Sequence, residues 1–203
     1  MSQHDKLDPY VANAENNDVT PQQKITDLHA ILKAAQTGML TSRAADGSLH
    51  SRAMTPSTPF TDTQVNLVFI ANNASYKFDE LANDPHVNVS FFDRASTNWA
   101  SFAGTAKVIT DKNIIKQHWN STVSAFFGDL GDGVHKGNAD DPRVSAIEVV
   151  PDQVHYWIAT SGKIGRTTQI ALGAVTGKAS APGELRTINK AEIQLTQGLQ
   201  SKP

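Results

Sequence analysis

At 203 residues, 39% of them hydrophobic, the chain has the length for one good-sized domain with a sizeable core, and not for two once its polar ends are set aside. The absence of cysteine excludes disulfides, thiol catalysis and cysteine-ligated zinc or iron–sulfur sites, and no window of about 20 apolar residues is available for a membrane span. A net charge of −2 gives no general attraction to nucleic acid or to an anionic membrane surface, so basic residues must act locally.

Residues 1–19 are rich in Asn, Asp and Gln and read as a flexible N-terminal arm, because their apolar content is too sparse to offset the entropy of ordering them. The start Met1-Ser2-Gln3-His4-Asp5-Lys6 has neither the apolar core of a secretory signal nor the Arg-rich, acid-poor character of a transit peptide, so a cytoplasmic location is expected. Thr20-Pro21-Gln22-Gln23 is a helix start, with Thr20 as cap, Pro21 at the first helical position and Gln23 spaced for a capping box. Ile25, Leu28, Ile31 and Leu32 then share one face of a helix that runs to about Ala35.

Strand patterns follow. Gly38 to Ser42 and Leu49 to Thr55 flank an Asp46-Gly47 hairpin signal, and Val65 to Ala71 is an apolar run suited to a buried strand. Ser75 to Asn83 predicts a short helix with Phe78 and Leu81 inward, ended by Asp84-Pro85. Val87 to Phe92 and Trp99 to Ile109 are two further strands, followed by short helices over Asp111 to Trp119 and Ser121 to Phe127. Gly128 to Asp141 reads as a solvated, mobile loop, and Val144 to Val150 and Val154 to Ala159 as a last pair of strands turning at Pro151-Asp152. Residues 20–160 thus form the folded domain, and residues 161–203, with no sustained apolar period, a tail packing on it or on a partner subunit. The set predicts an α+β, mostly β fold, a six-stranded antiparallel split β-barrel with peripheral helices, with an open α+β sandwich as the alternative.

Within this order, Arg52 of the second strand and the Ser75/Lys77 pair after the third form a two-part anion clamp. Arginine offers a planar fork, lysine a point charge and a helix start its backbone N–H groups. A cation in a first helical turn is disfavoured by the helix dipole and makes sense beside a bound anion. The competing reading, Ser75 as a plain cap and Lys77 as a solvated charge, stands at even weight on these residues alone. Phe126-Phe127 beyond Trp119 can complete an apolar wall for a flat ring system. The seven histidines show no metal-ligand spacing, so no metal is expected, and no GxSxG elbow or complete phosphate loop occurs.

The succession Gly38-Met39-Leu40-Thr41, Asp46-Gly47, Ser51-Arg52-Ala53-Met54, Val68-Phe69-Ile70-Ala71, Ser75-Tyr76-Lys77-Phe78-Asp79-Glu80-Leu81, Asp84-Pro85-His86-Val87-Asn88-Val89 and Gly104-Thr105-Ala106 resembles the flavin-binding split barrels related to pyridoxamine 5'-phosphate oxidase. Within them it resembles the general stress protein branch, and the tail Gly177 to Thr187 is similar to that of fungal blue-light-inducible proteins. The resemblance implies a homodimer with FMN at the subunit interface. By position, Arg52, Ser75 and Lys77 would hold the FMN phosphate, the backbone of Ala53 and Met54 would line the ring, and Phe69, Ile70 and Ala71 would run beside it. Trp119 would approach from the partner. Ser57 stands where the oxidase proper has a lysine, Asn98-Trp99 where it has Arg-Gln, and its C-terminal Arg/His substrate segment is not recognisable, so vitamin B6 oxidase activity is not expected. The implied function is an FMN-dependent oxidoreductase of stress or light response, with NADH or NADPH as reductant and no declared catalytic side chain. The alternatives are a flavin carrier or redox or light sensor, or a barrel holding haem, a deazaflavin or no cofactor, with His50 as the one candidate haem ligand.

Overall fold

A computed structural model of the chain describes residues 7–160, 162, 175–176, 179 and 181–200, with the side chains of the last helix up to Thr196. The arm expected to be flexible contains helix α1 (Pro9–Ala14), whose cap Asp8 accepts the Val11 N–H at 3.1 Å. Ala14 is buried, Tyr10 stacks on Trp157 with centroids 5.8 Å apart, and the Asn16 N–H donates to the Leu185 carbonyl. Residues 7–19 of the arm are therefore ordered by pairing with the C-terminal segment, which composition does not register.

Helix α2 (Pro21–Ala35) starts as expected, Thr20 Oγ1 accepting the Gln23 N–H at 3.2 Å. The Gln23 amide does not close a capping box; it donates to Asp27 one turn on. Ile25, Leu28, Ile31 and Leu32 are all buried, each contributing about 1.5–3 kcal/mol by leaving water. They cover one end of the core built from the sheet.

Strands β1 (Gly38–Arg43) and β2 (Leu49–Met54) form the expected hairpin, with Gly47 at φ +87° in the turn and Asp46 accepting the Ser48 N–H. Next come β3 (Leu67–Asn72), α3 (Lys77–Asn83), β4 (His86–Phe92), β5 (Trp99–Ile109), α4 (Lys112–His118) and α5 (Ser121–Ser124). The chain closes with β6 (Val144–Ala159), β7 (Gly183–Ile188) and α6 (Lys190–Gln200). The sheet is antiparallel throughout, in the order β2-β1-β4-β5-β6-β3, with β7 also pairing β6. It is the mostly β architecture with peripheral helices that was expected, widened to seven strands by β7.

The two strands expected on either side of Pro151-Asp152 are one bent strand. Its first half pairs β3 and its second half β7, while β5 runs along its whole length. The bend is a bulge: Ala103 faces Gln153 and Gly104 faces Pro151, which leaves Asp152 over. Gly104 is required here, because a Cβ would lie 2.2 Å from the Val150 carbonyl oxygen.

The C-terminal segment also departs from the reading of an unpatterned tail. β7 is fixed by side chains as much as by its ladder, for Arg186 pairs with Asp27 of α2 and with Glu184. Buried Lys24 donates to Glu192 at 2.8 Å and to the Thr187 carbonyl at 2.9 Å. Asn189 and Glu192 exchange side-chain-to-backbone hydrogen bonds in a capping box at the start of α6. The segment Gly177 to Ala181, quoted in the fungal resemblance, lies mostly outside the described residues.

The loop 128–142 is pinned as well. Buried Asp141 accepts from the Arg143 guanidinium and from the Gly137 N–H, and Arg143 also donates to the carbonyls of Phe127 and Gly128. Hydrogen bonds from Arg143 hold the Asp141 carboxyl well below its usual range, against the upward push of burial.

Candidate functional site

The two ends of the sheet path, β2 and β3, approach each other without a shared ladder; a backbone bond from Ser57 N–H to the Val68 carbonyl, at 2.7 Å, links the loop after β2 to β3. Between them lies a pocket of about 600 Å³. Ala53 and Met54 line it from β2, Ile70, Ala71 and Asn72 from β3, and Lys77 from the start of α3. The far wall is His118, Asn120 and Thr122 with Val123, Phe126 and Phe127. Its volume suits a drug-sized or cofactor-sized ligand, and its walls are the usual mixture of apolar surface with a few polar groups.

Beside Lys77 sits a charged cluster. On the hairpin, His50 is registered against Ser42 and Arg52 against Leu40, so these four side chains share one face, and buried Leu40 shows that it is the inner one. Glu80 enters that face from α3 and is 7% exposed. Its Oε2 accepts from Arg52 Nη2 at 2.6 Å and from the Ser42 hydroxyl, while Oε1 is 2.6 Å from His50 Nδ1. Arg52 Nη1 donates to Ser42 as well. Burial pushes the Glu80 carboxyl up, but hydrogen bonds from Ser42, His50 and Arg52, with the Arg52 charge, outweigh it and hold the group at about 2.

Lys77 Nζ donates to Ser75 Oγ at 2.6 Å, and that hydroxyl donates to the Asn72 carbonyl at 2.7 Å. Burial lowers the Lys77 pKa, and the nearby Arg52 charge lowers it further, against a smaller opposite effect of Glu80. Arg52, Lys77 and Glu80 thus leave one net positive charge at the pocket's end.

Some details differ from the clamp drawn on sequence. Ser75 is not the helix cap: α3 begins after Tyr76 with no side-chain cap, and Asn72 takes the N–H groups of Ala74 and Ser75. The N–H groups of Ala74 and Ser75 are therefore occupied, and the charged donors of the corner are Arg52 and Lys77. Ala53, Met54, Ile70 and Ala71 all line the pocket, whereas the Phe69 ring is fully buried in the sheet core. Trp119 is half-buried against Phe127, its ring 5.6 Å away, in the small cluster under α4. Phe126 is 81% exposed over the pocket and Phe127 is buried beside it.

Three participants had no signal of their own in the sequence. Glu80 looks like an ordinary acid in a first helical turn, and Ser42 like one more strand serine. The His118 ring, 3.0 Å from Ser57 Oγ, forms the one imidazole–hydroxyl pair on this pocket's wall. Among the described residues no group of three or more His, Asp or Glu side chains is placed to hold a metal, and no described helix is long and apolar enough to cross a membrane.

Comparison with known proteins gives the family and the fold. The family described as pyridoxamine 5'-phosphate oxidase like matches residues 23–181, and Protein bli-3 of Neurospora crassa is 38% identical over 188 residues, 92% of this chain and 90% of that protein. The chain belongs to the pyridoxamine 5'-phosphate oxidase-like family. Among solved structures, a putative general stress protein 26 from Jannaschia sp. CCS1 shares the fold, with a TM-score of 0.62 and 20% identity over 82% of this chain and 98% of that one. So does a pyridoxamine 5'-phosphate oxidase-related, FMN binding protein from Nostoc punctiforme PCC 73102, with a TM-score of 0.52 and 14% identity over 67% of this chain and 81% of that one. The match to the pyridoxamine 5'-phosphate oxidase-like family spans β1 to β6, so the pocket between β2 and β3 and the Arg52–Lys77 corner both lie inside it.

Proposed function

We propose that this pyridoxamine 5'-phosphate oxidase-like protein is a cytoplasmic FMN-binding homodimer, with the phosphate at the Arg52, Ser75 and Lys77 corner and the flavin ring in the adjoining pocket. The observation that carries the reading is the junction of two unlike features. A corner with two cations against one carboxylate opens directly, through Lys77, onto a pocket with an apolar, aromatic wall. A phosphate monoester carries about −1.5 to −2 charges at pH 7, which the net positive corner accommodates. Family membership and the FMN binding protein of like fold support the choice of flavin mononucleotide over other phosphate esters.

Bound FMN would supply one- and two-electron redox chemistry that no side chain here offers. The chain's own residues would place it. Arg52 and Lys77 would donate charge-assisted hydrogen bonds to the phosphate, Ala53 and Met54 would form one wall of the ring site, and Phe126 and Phe127 would help to exclude water from the other. The His118–Ser57 pair is available to hold a proton at His118 Nδ1 or Ser57 Oγ. In a homodimer the partner subunit would cover the open side of the pocket. NADH or NADPH is the proposed reductant of a flavin-dependent oxidoreductase acting in stress or light response.

The test is binding itself. The purified protein should show the visible absorption of oxidised flavin and bind FMN more tightly than riboflavin. Each charge-assisted bond to phosphate is worth about 1.5–3 kcal/mol, so Lys77→Ala and Arg52→Ala should each lose roughly 10- to 100-fold in FMN affinity. A Lys77→Ala protein that purifies fully flavinated would end the phosphate assignment. Rapid reduction on mixing with NADH or NADPH separates an oxidoreductase from a carrier, which would be reduced slowly or not at all.

A further inference from the structure

Arg52 is half-buried on an edge strand, and a long side chain there has several rotamers to choose from. In the structure it has one well-defined set of partners. Nη2 donates to Glu80 Oε2 at 2.6 Å, Nη1 donates to Ser42 Oγ, and Ser42 itself donates to the same Glu80 oxygen. These bonds form a closed ring of guanidinium, hydroxyl and carboxylate on the end-on edge of the fork. Arg52 Nε makes no hydrogen bond among the described residues, so the side edge, made of Nε–H and the second Nη2–H, remains for a ligand. That edge is the one that can meet a phosphate in two parallel bonds.

The other carboxylate oxygen is occupied too. His50 Nδ1 lies 2.6 Å from Oε1, so Glu80 is bonded at both oxygens and, being buried, has little freedom to turn. With its carboxyl held at about 2 it is ionised near neutral pH. Lys77, one turn before Glu80 on the same helix, is the other cation of the corner, so α3 carries both one phosphate-facing group and the anchor of the second.

We infer that Glu80 is the positioning residue of the phosphate corner: it holds the end-on edge of Arg52, with Ser42 closing the ring, so that the side edge of the guanidinium is presented with Lys77 to the phosphate of the bound ligand. This rests on the FMN reading for the identity of the ligand, while the orientation of Arg52 belongs to the free protein.

Two effects of Glu80 oppose each other, and the experiment separates them. As an orienting group it strengthens phosphate binding; as a nearby negative charge it weakens it. Titrations of FMN and riboflavin into flavin-free protein give the ratio of the two affinities, which reports on the phosphate alone. Glu80→Ala should lower that ratio by about 10-fold or more, with riboflavin affinity unchanged within about 2-fold. Glu80→Gln, which keeps an acceptor for the Arg52 fork, should retain most of it. An unchanged or raised ratio in Glu80→Ala, an equal loss of both ligands, or a loss in Glu80→Gln as large as that in Glu80→Ala overturns the inference. An unmodified protein that binds the two flavins equally defeats the FMN reading and the inference's ligand with it. Independently of any flavin, the ¹⁵N side-chain signal of the Arg52 Nη groups, which Glu80 and Ser42 hold, should be resolved and slow to exchange in the free protein and in Glu80→Gln. It should broaden or exchange rapidly in Glu80→Ala, and an unaltered signal there refutes the positioning role on its own.

Discussion

Glu80 makes the acid limb of the stability profile a quantitative test of the corner. Its carboxyl is 7% exposed and sits at about 2, against an ordinary value of 4.5, because three hydrogen bonds and the Arg52 charge outweigh the burial that pushes it up. A folded-state value below the unfolded one means that the ionised form is favoured by folding. The contribution is complete above the unfolded value and is lost as the pH falls through 4.5 towards 2. At 1.36 kcal/mol per tenfold change in proton affinity it amounts to about 3 kcal/mol near neutrality, about 1.4 kcal/mol at pH 3 and under about 0.5 kcal/mol at pH 2. Other lowered carboxyls, Asp132 and Asp141 among them, lose stability in the same direction, so the acid limb of the parent protein alone does not isolate Glu80. The difference between the parent and Glu80→Gln does. Urea unfolding followed by tryptophan fluorescence at several pH values should give a difference of about 3 kcal/mol at pH 7 that narrows steadily below pH 4.5. A difference that stays flat from pH 7 to pH 2 would show that the carboxylate is not held by these partners and refute the reasoning.

The bulge and the two pinned segments give three further expectations. Gly104→Ala places a methyl group 2.2 Å from the Val150 carbonyl oxygen and 2.6 Å from Pro151 Cα, both backbone atoms, and should cost about 3 kcal/mol or more in thermal unfolding. Lys24→Met removes the buried ammonium that holds Glu192 and the Thr187 carbonyl, and should cost about 3 kcal/mol and raise amide exchange in β7 and α6; exchange unchanged there would mean that the tail docks without it. Asp141→Asn breaks a buried pair with Arg143 and should make residues 128–142 the first site of limited proteolysis, with no comparable cleavage in the parent.

How far these features could be read in the sequence depends on whether they are local. The face of α2, the Asp46-Gly47 hairpin and the strands from β1 to β5 follow local patterns, and Ile25, Leu28, Leu40, Phe69, Val89 and Phe102 among their apolar positions are fully buried. The single bent strand β6 resembles two strands in sequence because Pro151 carries a turn signal. Only its partner, with a glycine at the matching register, makes that signal a bulge. β7 and the arm before α2 have little apolar pattern, being fixed by Arg186, Lys24 and mutual backbone bonds over more than 150 residues of separation. The same distinction runs through the site. Arg52, Ser75 and Lys77 were legible because cations and a hydroxyl after two strands have few structural uses. Glu80, which completes the corner, has an ordinary use where it stands. Its partner Arg52 lies 28 residues away, across a contact that only the packing of α3 on β1 creates.

That contact explains why the corner lies where it does. Arg52 belongs to the edge strand β2, and Ser75 and Lys77 follow the other edge strand, β3. The two edges share no ladder, and the Ser57–Val68 bond is the backbone link noted at this seam. A ligand seated there contacts both sides at once, so its binding energy closes the seam as well as filling the pocket. Such a ligand favours the closed sheet by mass action, about 2.7 kcal/mol at a free concentration 100 times its Kd. The gain should appear as protection of the ends of β2 and β3, which have the fewest backbone partners of their own, before it appears in the strands at the centre of the sheet.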